Sequence, residues 1–174
     1  MESNARILGH SMHPMLIVFP LGLLSTSVIF DILFLLIGNS VFPAVAYWMI
    51  AAGLVGGLVA ASTGWIDWIG IPSGTRAKRV GLFHGAVNGA VLLAFAGSLY
   101  LRHNIDTTPG SLALALSLGG FVLALVGGWL GGELVERLAI AVHTGANPDA
   151  PSSLTTESAT GEPRTAANRR EVPL

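Results

Sequence analysis

Along most of this chain hydrophobic positions do not alternate with polar ones; they run on without a break. Four stretches stand out, at residues 14–37, 44–69, 80–101 and 111–130, the last extended by a weaker apolar pattern toward 142. Each reaches the roughly 20 residues that a helix needs to cross about 30 Å of hydrocarbon. Lipid supplies no hydrogen-bonding partner for an open backbone, so runs of this length predict helices. The breaks between them are ordinary turn sequences: GNSVFP at 38–43, GIPSGTRAKR at 70–79 and RHNIDTTPG at 102–110. Connections this short predict an up-down-up-down four-helix bundle, an all-α integral membrane fold.

The pattern stops at His143. Residues 144–174 are Pro, Ser, Thr, Ala and Arg with almost no large apolar side chains. Such a segment buries too little surface to offset its ordering entropy, which predicts a disordered tail. The chain therefore divides into a transmembrane domain, 1–143, and a tail, 144–174.

Composition sharpens this reading. Hydrophobic residues make up 52% of the chain and charged residues 11%, against about 25% charged in soluble domains. Cysteine is absent, which excludes disulfides, thiolate metal sites and thiol redox chemistry. A net charge of −1 exerts no overall pull on nucleic acid, and none is expected as a partner. The first apolar run is too long for a cleavable signal core and carries Pro14, Pro20 and Asp31.

Basic residues set the expected orientation. Arg6, Arg76, Lys78, Arg79, Arg137, Arg164, Arg169 and Arg170 fall on the side that holds both termini, and Arg102 alone falls on the other. The positive-inside rule then predicts cytoplasmic termini, N-in and C-in. Trp65, Trp68 and Trp129 at the cytoplasmic ends and Tyr47, Trp48 and Tyr100 at the far ends form matching aromatic belts.

Small residues recur at helical spacing. The third run carries Gly81, Gly85 and Gly89, and the fourth carries Gly120, Ala124, Gly128 and Gly132. The second offers two rows, Ala52-Gly56-Ala60-Gly64 and Gly53-Gly57-Ala61. Close helix packing is the expected use of such rows. No strand precedes them, which excludes a dinucleotide-binding fingerprint. A slot wide enough for a flat cofactor is a second use of the same small side chains.

The up-down order brings polar residues from all four runs to the cytoplasmic end. His10 and His13 precede the first, Asp67 ends the second, His84 and Asn88 lie one and two turns into the third, and Glu133 ends the fourth. His84 and Asn88, four apart, share a helix face. Asp31 lies deeper at the other end, where a backbone or hydroxyl partner is expected; His103 and His143 have loop-like flanks and are expected to be solvated. Three readings of the cluster stay open. The first is a hydrogen-bonded polar layer that fixes helix register. The second is a non-haem iron, manganese or zinc ion held by His10, His13, Asp67, His84, Asn88 and Glu133. The third is haem b held between His13 and His84, with carboxylates orienting the imidazoles. No nucleophile–base pair stands out, so no catalytic residue is assigned.

The motifs GHSMHPMLIVFPLGL…FD, STGWIDWIGIPSGTRAKRVGLFHGAVN and GGWLGGELVERLAIAV resemble those of DUF2231, a family of predicted bacterial membrane proteins of unknown function. The resemblance spans about residues 7–142 and excludes the tail. Residues matching the family pattern are His10, His13, Pro14, Asp67, His84, Asn88 and Glu133. Some relatives are fused to Rieske-type iron–sulfur domains, which implies a redox neighbourhood. This chain departs in having Ser11 where proline is common, and Val18 and Leu138 where some relatives carry further histidines.

The function expected from these features is membrane redox or electron transfer through haem b or a metal ion at the cytoplasmic interface. The alternative is a non-catalytic membrane module with a structural polar layer. The lipid bilayer is the expected environment, and a redox partner protein and a homodimer are both compatible with it. A transporter is disfavoured, because four spans show no pair of broken helices.

Overall fold

The computed structural model describes residues 1–103, 108–155 and 157–161. A short hairpin opens the chain, β1 (Arg6–Ile7) paired antiparallel with β2 (His10–Ser11). Helices α1 (Met12–Leu16), α2 (Val18–Ile37), α3 (Val41–Gly70), α4 (Arg76–Leu101) and α5 (Ser111–Gly132) follow, and a π-helical turn, Glu133–Arg137, extends α5. Four helical segments are long and apolar enough to cross a membrane: Met12–Ile37, Val41–Gly70, Arg76–Leu101 and Ser111–Arg137. The shortest continuous one, Arg76–Leu101 at 26 residues, is about 39 Å long at the α-helical rise.

Local chemistry explains where these elements differ from expectation. The first span is not one helix from residue 14 to 37 but two, parted at Ile17. The ring of Pro20 conflicts with the carbonyl four residues back, that of Leu16, which is where α1 ends. Pro43 sits third in α3, in a first turn that does not need its N–H, so the helix begins at Val41 and not at 44. The helix α4 starts at Arg76 and not at 80, because the Thr75 side chain accepts the N–H of Lys78 at 3.1 Å and caps it. Gly38 stops α2: its φ of +75° is a left-handed conformation, and its N–H bonds the carbonyl of Phe34. The last helix does not run on to 142; beyond Arg137 the backbone takes positive φ at Ala139 and Ala141.

Contacts between successive long helices run in opposite order. Gly53, Gly56 and Gly64 of α3 meet Leu24, Pro20 and His13 in turn. Gly120, Gly127 and Gly131 meet Phe95, Asn88 and His84. Gly57 meets Leu92, and Gly81 meets Trp68, across the α3–α4 pair. The centre is an apolar cluster of Leu24, Val28, Ile50, Val91 and Phe95, with Leu54, Leu92 and Phe121 packed around it.

One end of the bundle is closed by charge. The guanidinium of Arg102, at the end of α4, grips Asp31 of α2 with two bonds of 2.9 and 2.6 Å. Ser117 of α5 donates to the same carboxylate at 2.9 Å. Asp31 thus has the hydroxyl partner expected for it, but its main partner is a guanidinium that the sequence placed in a loop. His103 is exposed, and Asp106 lies outside the described residues.

At the other end residues 1–11 fold back across the bundle as a strap. The Met1 ammonium donates to the Ala139 carbonyl at 2.8 Å, and the Ala141 N–H donates to the Met1 carbonyl at 2.9 Å. Leu8 and Gly9, both at positive φ, form the two-residue turn of the β1–β2 hairpin. His143 is not simply solvated: its Nε2 lies 2.8 Å from the Gly9 carbonyl and its Nδ1 lies 3.4 Å from Glu2. Among the described tail residues, Ser153 packs on Gly9. Residue 156 and residues 162–174 of the segment expected to be disordered lie outside the described residues.

Candidate cofactor site

Between the two long-helix pairs, α2 with α3 and α4 with α5, lies a cavity of about 400 Å³. Leu24, Val91, Leu92, Phe95 and Phe121 form its apolar floor; His13 and His84 enter it from opposite pairs. Their ring centroids are 6.1 Å apart and the ring planes stand at 81°.

Each imidazole is held by a backbone carbonyl. Nδ1 of His13 lies 2.8 Å from the carbonyl oxygen of Ala60. Nδ1 of His84 lies 3.0 Å from that of Gly127. A carbonyl only accepts, so in the neutral form of each ring Nδ1 is the protonated nitrogen and Nε2 keeps its lone pair. Among the described residues Nε2 of His13 has no hydrogen-bond partner. Nε2 of His84 has a long 3.4 Å contact with the Asn88 amide, whose firmer bond goes to the His84 backbone carbonyl at 2.8 Å. Both histidines are fixed through Nδ1, the kind of outer contact that orients metal-binding imidazoles, with Nε2 unpartnered in His13 and only loosely contacted in His84.

Glycine makes room for both rings. A Cβ built at Gly64 would meet His13 at 2.9 Å, and one at Gly131 would meet His84 at 3.2 Å. The expectation that the glycine rows pack helices holds for α3 and for Gly81 and Gly120. It fails at Gly132 and at the cavity-lining Gly85, Gly89 and Gly128, where a Cβ would meet nothing within 4 Å. The last three leave the slot open.

The six residues expected to form one cluster do not converge. His13, His84 and Asn88 line the cavity. Asp67 lies under the strap, where its oxygens accept from Ser3 Oγ at 2.8 and 2.9 Å and from the N–H groups of Asn4 and Ala5 at 2.7 and 3.1 Å. Glu133 pairs with Arg76. His10 is exposed on the hairpin, its Nδ1 3.2 Å from the Leu8 carbonyl. Among the described residues no group of three or more His, Asp or Glu is placed to hold a metal ion. A carboxylate-containing metal set is therefore not assembled; of the five ionisable residues expected in the cluster, His13 and His84 alone line the cavity.

Sequence reasoning did not find the carbonyls of Ala60 and Gly127, nor the glycines beneath the rings. The spacing Ala60–Gly64–Asp67 along one face of α3 was the available signal.

The arrangement defines a helical membrane protein with a histidine-lined cavity inside one end of its bundle. The family model described as a predicted membrane protein, DUF2231, matches residues 9–144, and the chain belongs to that family. No curated protein and no solved structure matches the chain.

Proposed function

We propose that the cavity between the helix pairs binds haem b through His13 and His84, and that the protein carries electrons within the bacterial inner membrane. One observation carries the reading: two imidazoles, each tied at Nδ1 to a backbone carbonyl, face one cavity with centroids 6.1 Å apart. His13 and His84 would hold the haem iron through their Nε2 atoms, at metal–nitrogen distances of about 2.0–2.1 Å. The cavity volume lies within the range of about 300–1,000 Å³ typical of small-molecule sites. Gly85, Gly89 and Gly128 leave part of the wall without side chains, and most of the rest of the lining is apolar.

Haem b held by two imidazoles supplies one-electron ferric–ferrous chemistry without an open position for substrate. The chain's own part is to set each ring's tautomer and to keep the surroundings dry, which favours electron transfer over reaction with water. A haem reading uses the two imidazoles and no carboxylate; a non-haem metal reading needs Asp67 or Glu133, both of which are engaged elsewhere. In this reading both termini are cytoplasmic, from the eight-to-one distribution of basic residues.

Protein purified from haem-replete cells should show a Soret band. Either His13→Ala or His84→Ala should abolish or shift it. Stoichiometric iron, manganese or zinc without a Soret band would favour the non-haem alternative. A protein free of both, with His84→Asn fully stable, would reduce the imidazoles to a structural polar layer.

A further inference from the structure

One face of α3 presents Ala60, Gly64 and Asp67, spaced by four and three residues and therefore stacked along the helix. The Ala60 carbonyl holds the His13 ring, Gly64 is the floor beneath that ring, and Asp67 anchors the strap that leads into α1. Ala5 joins the last two. Its N–H donates to Asp67 at 3.1 Å, while its carbonyl accepts the N–H of Met12, the first residue of α1, at 2.8 Å. Ser11 gives α1 no side-chain cap, so Ala5 supplies that helix with an acceptor in its place. Only five residues long and parted from α2 at Ile17, α1 has little helical stability of its own.

We propose that Asp67 is the positioning residue for His13: it fixes the strap, the strap fixes the start of α1, and α1 delivers the imidazole to Ala60. This rests on the reading of His13 as a cofactor ligand, but its geometry can be tested without any cofactor. Asp67 touches neither ring. Its carboxylate is engaged by three donors, the Ser3 hydroxyl shared between both oxygens and the N–H groups of Asn4 and Ala5 on Oδ1.

Substitutions separate this from a direct role. Asp67→Asn keeps Oδ1, the atom that accepts from both backbone N–H groups; Asp67→Ala keeps nothing. Full-length protein in detergent is treated with diethyl pyrocarbonate, and carbethoxylation is read at each histidine by mass spectrometry. Asp67→Ala should raise His13 modification roughly tenfold, as expected when a docked segment is released, and leave His84 unchanged. Asp67→Asn should stay near wild type, Ser3→Ala should fall between, and exposed His10 should react in all of them. In haem-bearing preparations Asp67→Ala should lose or shift the Soret band, whereas Asp67→Asn should keep it. Unchanged His13 modification in Asp67→Ala, or equal effects of the Asn and Ala changes, would overturn the proposal. A wild type without haem would sink the functional reading and leave the histidine-modification result standing. Should Asp67→Ala not fold, Ser3→Ala decides: His13 no more reactive than in wild type would also refute it.

Discussion

The ring of His13 lies directly on Gly64, where an added Cβ would come within 2.9 Å of both Cε1 and Nδ1. That contact is with the nitrogen that bonds Ala60, so the glycine and the hydrogen bond stand or fall together.

Gly64→Ala should therefore push His13 off its carbonyl. Overpacking of this kind costs about 1–3 kcal/mol. Gly131→Ala, at 3.2 Å from His84, should act in the same direction more weakly. Gly85→Ala should leave stability unchanged, because its Cβ would meet open space, yet it should lower haem content by narrowing the slot. Thermal melts in detergent and the Soret-to-protein absorbance ratio distinguish the three.

The four spans were legible because each run is apolar along its whole length, a signal that needs no partner to interpret. His13 and His84 were legible as a pair because helix order places them at one end. The division of the other polar residues was not. Asp67, Glu133 and His10 lie at the same end, but their partners are Ser3, Arg76 and Leu8, and depth alone says nothing about which way a side chain points. Arg102 was hidden for another reason. It sits at the end of α4, where sequence reads as loop, and only the return of α2 and α5 buries it against Asp31 and Ser117. The open glycines were missed because spacing shows a row of small residues without showing whether anything fills it.

Asp31→Asn should be severe. The Asp31–Arg102 pair is almost fully buried, at 3% and 2% exposure, and removing one member of such a pair costs about 3–5 kcal/mol. The double change Asp31→Leu with Arg102→Met should cost less than Asp31→Asn alone, since it leaves no uncompensated charge. Thermal denaturation of the variants in one detergent checks the order. A double variant no better than the single would mean that the guanidinium's other contacts dominate.

Docking of the strap should weaken in acid. Burial pushes the Glu2 carboxyl up, but hydrogen bonds from Arg6 and the Thr144 N–H, with the charges of Arg6 and His143, outweigh it and hold the group below its ordinary 4.5. A carboxylate held low stabilises the folded state fully above its ordinary value and loses that contribution as pH falls through the lowered one. Hydrogen exchange of the Thr144 amide and its neighbours should therefore rise, relative to α4, as pH drops below about 4.5. The change Glu2→Gln should flatten that dependence. An acid response unaltered in Glu2→Gln would assign the effect elsewhere.

The termini supply the last test. The Met1 ammonium reaches the Ala139 carbonyl, so the start of the chain and the end of the bundle share one face. Reporters at the N-terminus and after Leu174 must then agree on their compartment, whichever side it is. Charge decides the side: Arg6, Arg76, Lys78, Arg79 and Arg137 crowd this end, and Arg102 at the other is neutralised by Asp31. Basic residues resist translocation, so both terminal reporters should be active in the cytoplasm, and one inserted between α4 and α5 should report the opposite compartment. Terminal reporters that disagreed would contradict the strap itself. Agreement on the far side would keep the fold and place the His13–His84 cavity near the outer face, where an electron carrier would meet different partners.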